Sequence, residues 1–181
     1  MPTSNPVKQI LVAAGLTLAL AACDSEAKSS KQDQVKRGEY MTTVMGCGDC
    51  HTPGYFFGKP DESQKLAGSD VGFFIPNLGY FYGRNLTPDK ETGLGNWSDD
   101  EIVKAIRTGE RPDGRILSPN MPWRSFASLS DDDAYAIVAY LRTLKPVRRE
   151  APPPTGPDAT APAPFLAVTM PPSKSAAAAP Q

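Results

Sequence analysis

Residues Val44 to Phe56 read VMGCGDCHTPGYF, with Cys47 and Cys50 three apart and His51, the single histidine in 181 residues, directly after the second. Just upstream, Tyr40, Met41, Val44 and Met45 share one helical face, which predicts a helix ending at Gly46 and then a turn carrying both thiols and the imidazole. Three reactive side chains on one short stretch can grip only one edge of an object. The rest of the chain has to supply the other walls.

The outer parts of the chain set the chemical compartment. Lys8 precedes an apolar run from Ile10 to Ala22, too short to span a bilayer and ending in small residues, which is the pattern of a secretory signal over residues 1–22. Leu20-Ala21-Ala22-Cys23 resembles the bacterial lipobox, where the signal is cut before a cysteine that takes lipid. Cys23 is therefore expected to be lipidated, and this removes the odd thiol among the three cysteines of an exported protein. Asp24 beside it resembles an inner-membrane retention signal. Together these features predict a lipid-anchored protein in the cell envelope of a Gram-negative bacterium, at the inner membrane and facing the periplasm.

Residues 23–33 are polar, lack an apolar period and predict a flexible tether. Residues 148–181 are rich in proline and alanine, show neither helical nor strand period, and predict a disordered tail. Removing Lys8 with the signal leaves 18 Lys and Arg against 20 Asp and Glu, with no basic stripe for nucleic acid. A nucleic-acid partner is not expected. What remains, residues 34–147, is one small domain, and a chain this short often needs a disulfide, metal or cofactor to complete its core.

The domain reads as all-α. Ser98-Asp99-Asp100-Glu101 is a capping box ahead of the stripe Ile102, Val103 and Ile106, with Gly109 as the stop. Ser130 caps a final helix whose first turn holds Asp131 to Asp133, favourable at the positive end of a helix dipole. Ala134, Ile137, Val138, Leu141 and Leu144 recur at helical spacing before Pro146 ends it. Between His51 and Asn85 a long connection carries eight aromatics from Tyr55 to Tyr82, and so many rings in an irregular segment need a surface to cover.

The central motif can now be weighed. A structural zinc site needs about four protein ligands, and with Cys23 lipidated and no second histidine the chain has too few soft donors. A thioredoxin-like redox pair belongs beside a βαβ pattern, which is missing. Cys-x-x-Cys-His is instead the attachment sequence for haem c: both thiols reach the vinyl groups on one porphyrin edge, and His51 lies beneath the iron. The sixth ligand then separates electron transfer from ligand chemistry. With no second histidine the candidates are methionines. Met41 and Met45 lie on the helix leading into the turn, Met170 lies in the tail, and Met121 sits in the proline-bracketed loop LSPNMPWRSF. Met121 is the expected ligand.

Cys47 to His51, the Pro119-Asn120-Met121-Pro122 loop and the closing LSDDDAYAIVAYLRTL resemble a class I c-type cytochrome. More narrowly, Asn85 to Arg115, NLTPDKETGLGNWSDDEIVKAIRTGERPDGR, is similar to haem domains in the cytochrome subunits of membrane-bound alcohol and gluconate dehydrogenases. The resemblance implies a cytochrome c-like fold around one covalently bound haem c, with the first and last helices in contact at Gly38 and Tyr140. It also implies a backbone carbonyl accepting from the second nitrogen of the axial histidine. Pro76 resembles the usual donor of that carbonyl, and the GRNLTP segment, residues 83–88, competes for the place. Arg84, Asn85 and Trp97 are candidates to bond a haem propionate.

These readings predict an electron carrier moving single electrons from a periplasmic dehydrogenase or quinol-oxidising complex to a further cytochrome or terminal oxidase. A haem enzyme or gas sensor with a labile sixth ligand is the alternative, and a purely structural lipoprotein is a third.

Overall fold

The computed structural model describes residues 30–169 of the chain. The expected signal over residues 1–22, the expected lipidation site Cys23, and Met170 to Gln181 lie outside them. Helix α1 runs over residues 30–44, so residues 30–33, expected as tether, are already helical. It ends through Met45 and Gly46, which adopts φ 67° and whose amide donates to Thr43 O at 3.1 Å. A left-handed glycine there turns the chain sharply and starts the single turn α2, Cys47–His51.

Helix α3, Asp99–Thr108, begins with the complete capping box. Ser98 Oγ accepts from the Glu101 amide at 3.2 Å, and the Glu101 carboxylate accepts from the Ser98 amide at 2.7 Å. Gly109, φ 74°, closes the helix. A short helix α4 spans Trp123–Phe126, and α5 spans Asp131–Thr143 with Ser130 as its cap. Arg142 does more than offset the dipole at the end of α5: it pairs with Asp99 and donates to the carbonyls of Leu94 and Trp97, fastening the approach to α3.

The core is the seam where α3, α5 and α1 meet. Ile102 and Val103 from α3 join Ile137, Val138 and Leu141 from α5, with Leu66 fully buried between them. Each such side chain contributes about 1.5–3 kcal/mol by leaving water. α1 reaches α5 through Gly38: a Cβ there would strike the Ala136 carbonyl and lie 2.9 Å from Tyr140 Cβ. The contact expected at Gly38 and Tyr140 is therefore present, and only glycine permits it.

Two features depart from the sequence reading. The aromatic connection contains a hairpin, β1 (Gly72–Ile75) antiparallel to β2 (Gly79–Tyr82), so a small sheet accompanies the helices. Residues 148–169, expected as part of a disordered tail, lie along that sheet: β3 (Phe165–Ala167) runs parallel to β1, Thr155 bridges Tyr80, and Ala151 is buried. Prolines suit this segment because an edge strand and an extended strap need few backbone donors. Low periodicity marked an extended cover here.

Candidate functional site

The helices and hairpin enclose a cavity of about 830 Å³ whose walls include Cys47, Cys50, His51 and Met121. Its surface is mainly apolar, with Leu94 and Ile102 from the α3 side, Ile137 and Leu141 from α5, and Phe73 and Phe81 from the hairpin. Strand alternation explains that last pair. Phe73 and Phe81 are register partners on one face of the hairpin and Phe74 and Tyr80 are partners on the other, while buried Tyr82 at the end of β2 also lines the cavity.

His51 is set by its neighbours. Its Nδ1 donates to the Arg84 carbonyl at 2.6 Å, so the neutral ring keeps its lone pair on Nε2. Burial pushes its pKa below the ordinary histidine value, and the Arg84 carbonyl only partly opposes this. The imidazole is thus neutral near pH 7 and available as a metal ligand. Gly83 makes the approach possible, since a Cβ there would strike the Cys50 carbonyl and lie 3.4 Å from His51 Nδ1. Residues 66–69 tie these two segments together: Gly68 N donates to His51 O at 2.8 Å and Ser69 N to Gly83 O at 2.9 Å.

Arg84 is therefore the residue whose carbonyl orients His51, and Pro76 is not. Pro76 and Asn77, φ 66°, occupy the middle of an exposed turn whose Leu78 amide returns to Ile75 O at 3.1 Å. Proline followed by a left-handed asparagine is the signature of a type II turn, which places Pro76 at the hairpin tip and off the cavity wall. Asn85 lines the cavity, but its amide is committed elsewhere. Nδ2 donates to Val147 O at 2.7 Å and Thr92 Oγ1 at 2.9 Å, while Oδ1 accepts from the amide and hydroxyl of Thr87. Its polar atoms tie the chain after Leu144 to the loop before α3, so a propionate has no claim on them. Trp97 lines the cavity with the Arg111 guanidinium 5.2 Å above its ring.

The two thiols are free, partly buried and on the same cavity wall as His51. Burial pushes Cys47 up to about 11, and burial followed by the Asp49 charge raises Cys50. Thiol–disulfide exchange needs the thiolate, which burial disfavours here. Among the described residues no group of three or more His, Cys, Asp or Glu side chains is arranged to hold a metal ion.

Arg84, Arg111 and Arg115 all reach the cavity wall, and burial with repulsion from the other two guanidinium groups holds Arg84 below its ordinary value. Asp113 pairs with two of them, and Arg115 and Arg111 depress it far below the usual range, while Glu150 attracts Arg84. Cationic groups that repel one another around an apolar cavity suit a flat apolar molecule with anionic substituents. Haem c fits that description, with thiols at one edge, an imidazole lone pair and a methionine within the same walls.

Sequence reasoning missed Gly83, Arg111 and Arg115. An alternating aromatic pattern, F-F-I-P-N-L-G-Y-F-Y, was the available signal for the hairpin that places Gly83 at its exit. Met45, on the helix leading into the turn, also lines the cavity while packing on the core, and Met41 packs on the core alone.

The cytochrome c family model matches residues 35–145. Among characterised relatives, the fructose dehydrogenase cytochrome subunit of Gluconobacter japonicus is 34% identical over 152 residues, covering 83% of this chain and 29% of that protein. The cytochrome c subunit of the quinone alcohol dehydrogenase of Gluconobacter oxydans (strain 621H) is 36% identical over 141 residues, 77% of this chain and 27% of that one. The gluconate 2-dehydrogenase cytochrome c subunit of Pantoea cypripedii is 38% identical over 135 residues, 74% of this chain and 28% of its own length. The chain thus spans between a quarter and a third of each relative. With the matched domain extending across the walls of the cavity just described, the chain belongs to the cytochrome c family, whose members carry covalently bound haem c and transfer electrons.

Proposed function

We propose that this chain is a single-haem electron carrier of the cell envelope, anchored by lipid on Cys23. Cys47 and Cys50 would hold haem c covalently through their thiols, and His51 and Met121 would ligate its iron. The observation that carries the reading is that one apolar cavity is walled by all four of these residues while His51 Nδ1 is already committed to Arg84 O. Bound haem supplies a one-electron ferric–ferrous couple, and methionine with histidine ligation raises its potential.

The protein's part is to hold that couple still and dry. The Nδ1–H bond fixes the imidazole plane, and Phe73, Phe81, Ile137 and Leu141 exclude water. Arg84, Arg111 and Arg115 supply positive charge for the propionates, and Trp97 lies beneath Arg111 as a flat wall. Met121 is held in its loop by its amide donating to Ser118 O and its carbonyl accepting from Trp123 N, at 3.0 and 2.8 Å. With the Met121 sulfur on the iron, no position would remain for substrate.

The relatives' names support a dehydrogenase as electron donor, with a further cytochrome or terminal oxidase as acceptor. The test uses the holoprotein purified from a host that matures c-type cytochromes. The reduced wild-type protein is expected to bind carbon monoxide slowly and weakly at neutral pH, and Met121→Ala to bind it rapidly. Met45→Ala is expected to behave as wild type. Rapid binding by the wild-type protein would favour the haem enzyme or gas sensor, and rapid binding only in Met45→Ala would move the ligand to that residue.

A further inference from the structure

The strap formed by residues 150–167 has no assigned role, yet it meets the site at one residue. Arg84 is used twice. Its carbonyl accepts from His51 Nδ1, and its Nη1 donates to the carbonyls of Ala151 at 2.8 Å and Pro152 at 3.3 Å. Ala151 is 2% exposed, and Pro153 and Pro154 continue along the cavity wall. Beyond them the strap is latched to the hairpin at three points. Thr155 and Tyr80 exchange backbone hydrogen bonds at 2.9 and 3.2 Å. Tyr82 Oη donates to Ala163 O and accepts from Ala163 N, at 2.7 and 3.2 Å. The amide of Gly72 donates to Pro164 O at 2.9 Å, and β3 follows beside β1.

We infer that the strap is a positioning element for the axial histidine: by gripping the Arg84 side chain at Ala151 and Pro152, it holds the Arg84 carbonyl on His51 Nδ1.

The physical argument is one of competition. Arg84 is half-buried and repelled by Arg111 and Arg115, and the opposing attraction comes from Glu150 at the head of the strap, so without the strap the guanidinium loses that carboxylate and its two carbonyl partners and gains by swinging toward water. The backbone of Arg84 sits between Gly83, pressed on Cys50, and Asn85, held in its own knot, so side-chain motion is passed to the one carbonyl that bonds His51. A strong Nδ1–H bond makes the imidazole a better donor and favours the ferric state. Loosening it therefore raises the fraction reduced at a given applied potential. The strap thereby tunes the site from a distance, with no atom of its own on the histidine.

This inference rests on the haem assignment proposed above, and the two fail differently. If the purified full chain carries no covalent haem, the assignment fails. If it carries haem and the strap proves irrelevant, only the inference fails. The experiment compares holoproteins: full chain, a chain ending at Arg149, and Arg84→Lys, which keeps the charge but cannot repeat the planar guanidinium grip. Both variants are expected to show a severalfold higher ferrous-to-ferric ratio than the full chain at one applied potential, and faster solvent exchange of the His51 Nδ1–H proton by NMR. Tyr82→Phe, which removes one latch but leaves Ala151 and Pro152 present, is expected to shift the ratio in the same direction by less. A shift in melting temperature with unchanged ratio and unchanged Nδ1–H exchange would reduce the strap to a structural cover and overturn the inference. Should the truncated chain fail to load haem, Arg84→Lys decides by the same two readouts.

Discussion

Gly83 and Arg84 show how little contact area orients the functional imidazole. The hydrogen bond at 2.6 Å depends on backbone passing close enough to Cys50 that no Cβ fits at Gly83. Gly83→Ala is therefore expected to destabilise the holoprotein by about 2–3 kcal/mol through forced backbone movement. Gly156 supplies the control, because a Cβ there meets nothing within 4 Å. Gly156→Ala is expected to stay within about 0.5 kcal/mol of wild type. Denaturant unfolding of the two variants checks the difference, and equal losses would show that the crowding at Gly83 is relieved at no cost. The sequence offered the segment around Arg84 and Pro76 as rival sources of the carbonyl, but could not choose between them. Side-chain identity carries no mark of a main-chain role.

The contact between α1 and α5 combines a steric requirement with a pH-dependent one. Gly38→Ala pushes a methyl group into the Ala136 carbonyl and is expected to cost about 3 kcal/mol, read as a lower denaturation midpoint with unchanged slope. At the same junction Arg37 pairs with Asp133 at 2.6 Å. Ser130 first, and then Arg37, hold the Asp133 carboxyl below its usual range. A carboxyl depressed in the folded state adds stability above its unfolded pKa, about 4, and loses it as pH falls through the folded value. Arg37→Gln is therefore expected to be less stable than wild type near pH 7, with the gap closing in acid. Urea unfolding at both ends of that range checks it, and a gap independent of pH would mean Arg37 acts by packing alone. Being exposed on the arginine side, the pair is a modest contributor beside the buried helix seam.

Considered together, the helices and hairpin surround an opening too large to leave empty. At about 24 cal/mol per Å³, a sealed cavity of about 830 Å³ would cost about 20 kcal/mol, against a net stability of about 5–15 kcal/mol for a domain. Water entering through the open side lowers that cost, but the apolar walls of α3 and α5 still lose their packing partner. The chain produced without haem maturation is therefore expected to lack a cooperative melt and to lose helical signal by circular dichroism. A sharp apo transition close to that of the holoprotein would show that the walls close on one another instead. Such dependence on a bound group is consistent with the small size of the matched segment, residues 35–145.

Local chemistry was readable from the order of residues because its causes are local. The Cys47-to-His51 spacing lies within one turn, the Ser98 box within four residues, and the α5 stripe follows the helical repeat, so each could be found without knowing what lies opposite. The same holds for family membership, carried by motifs that survive as strings. The choice of Arg84 over Pro76, the commitment of Asn85 to Val147 and Thr87, and the use of residues 148–169 as a strap were not readable this way. Each depends on which distant backbone groups meet across the hairpin. Carbonyls are chemically alike along the whole chain, and folding alone selects which of them faces the imidazole.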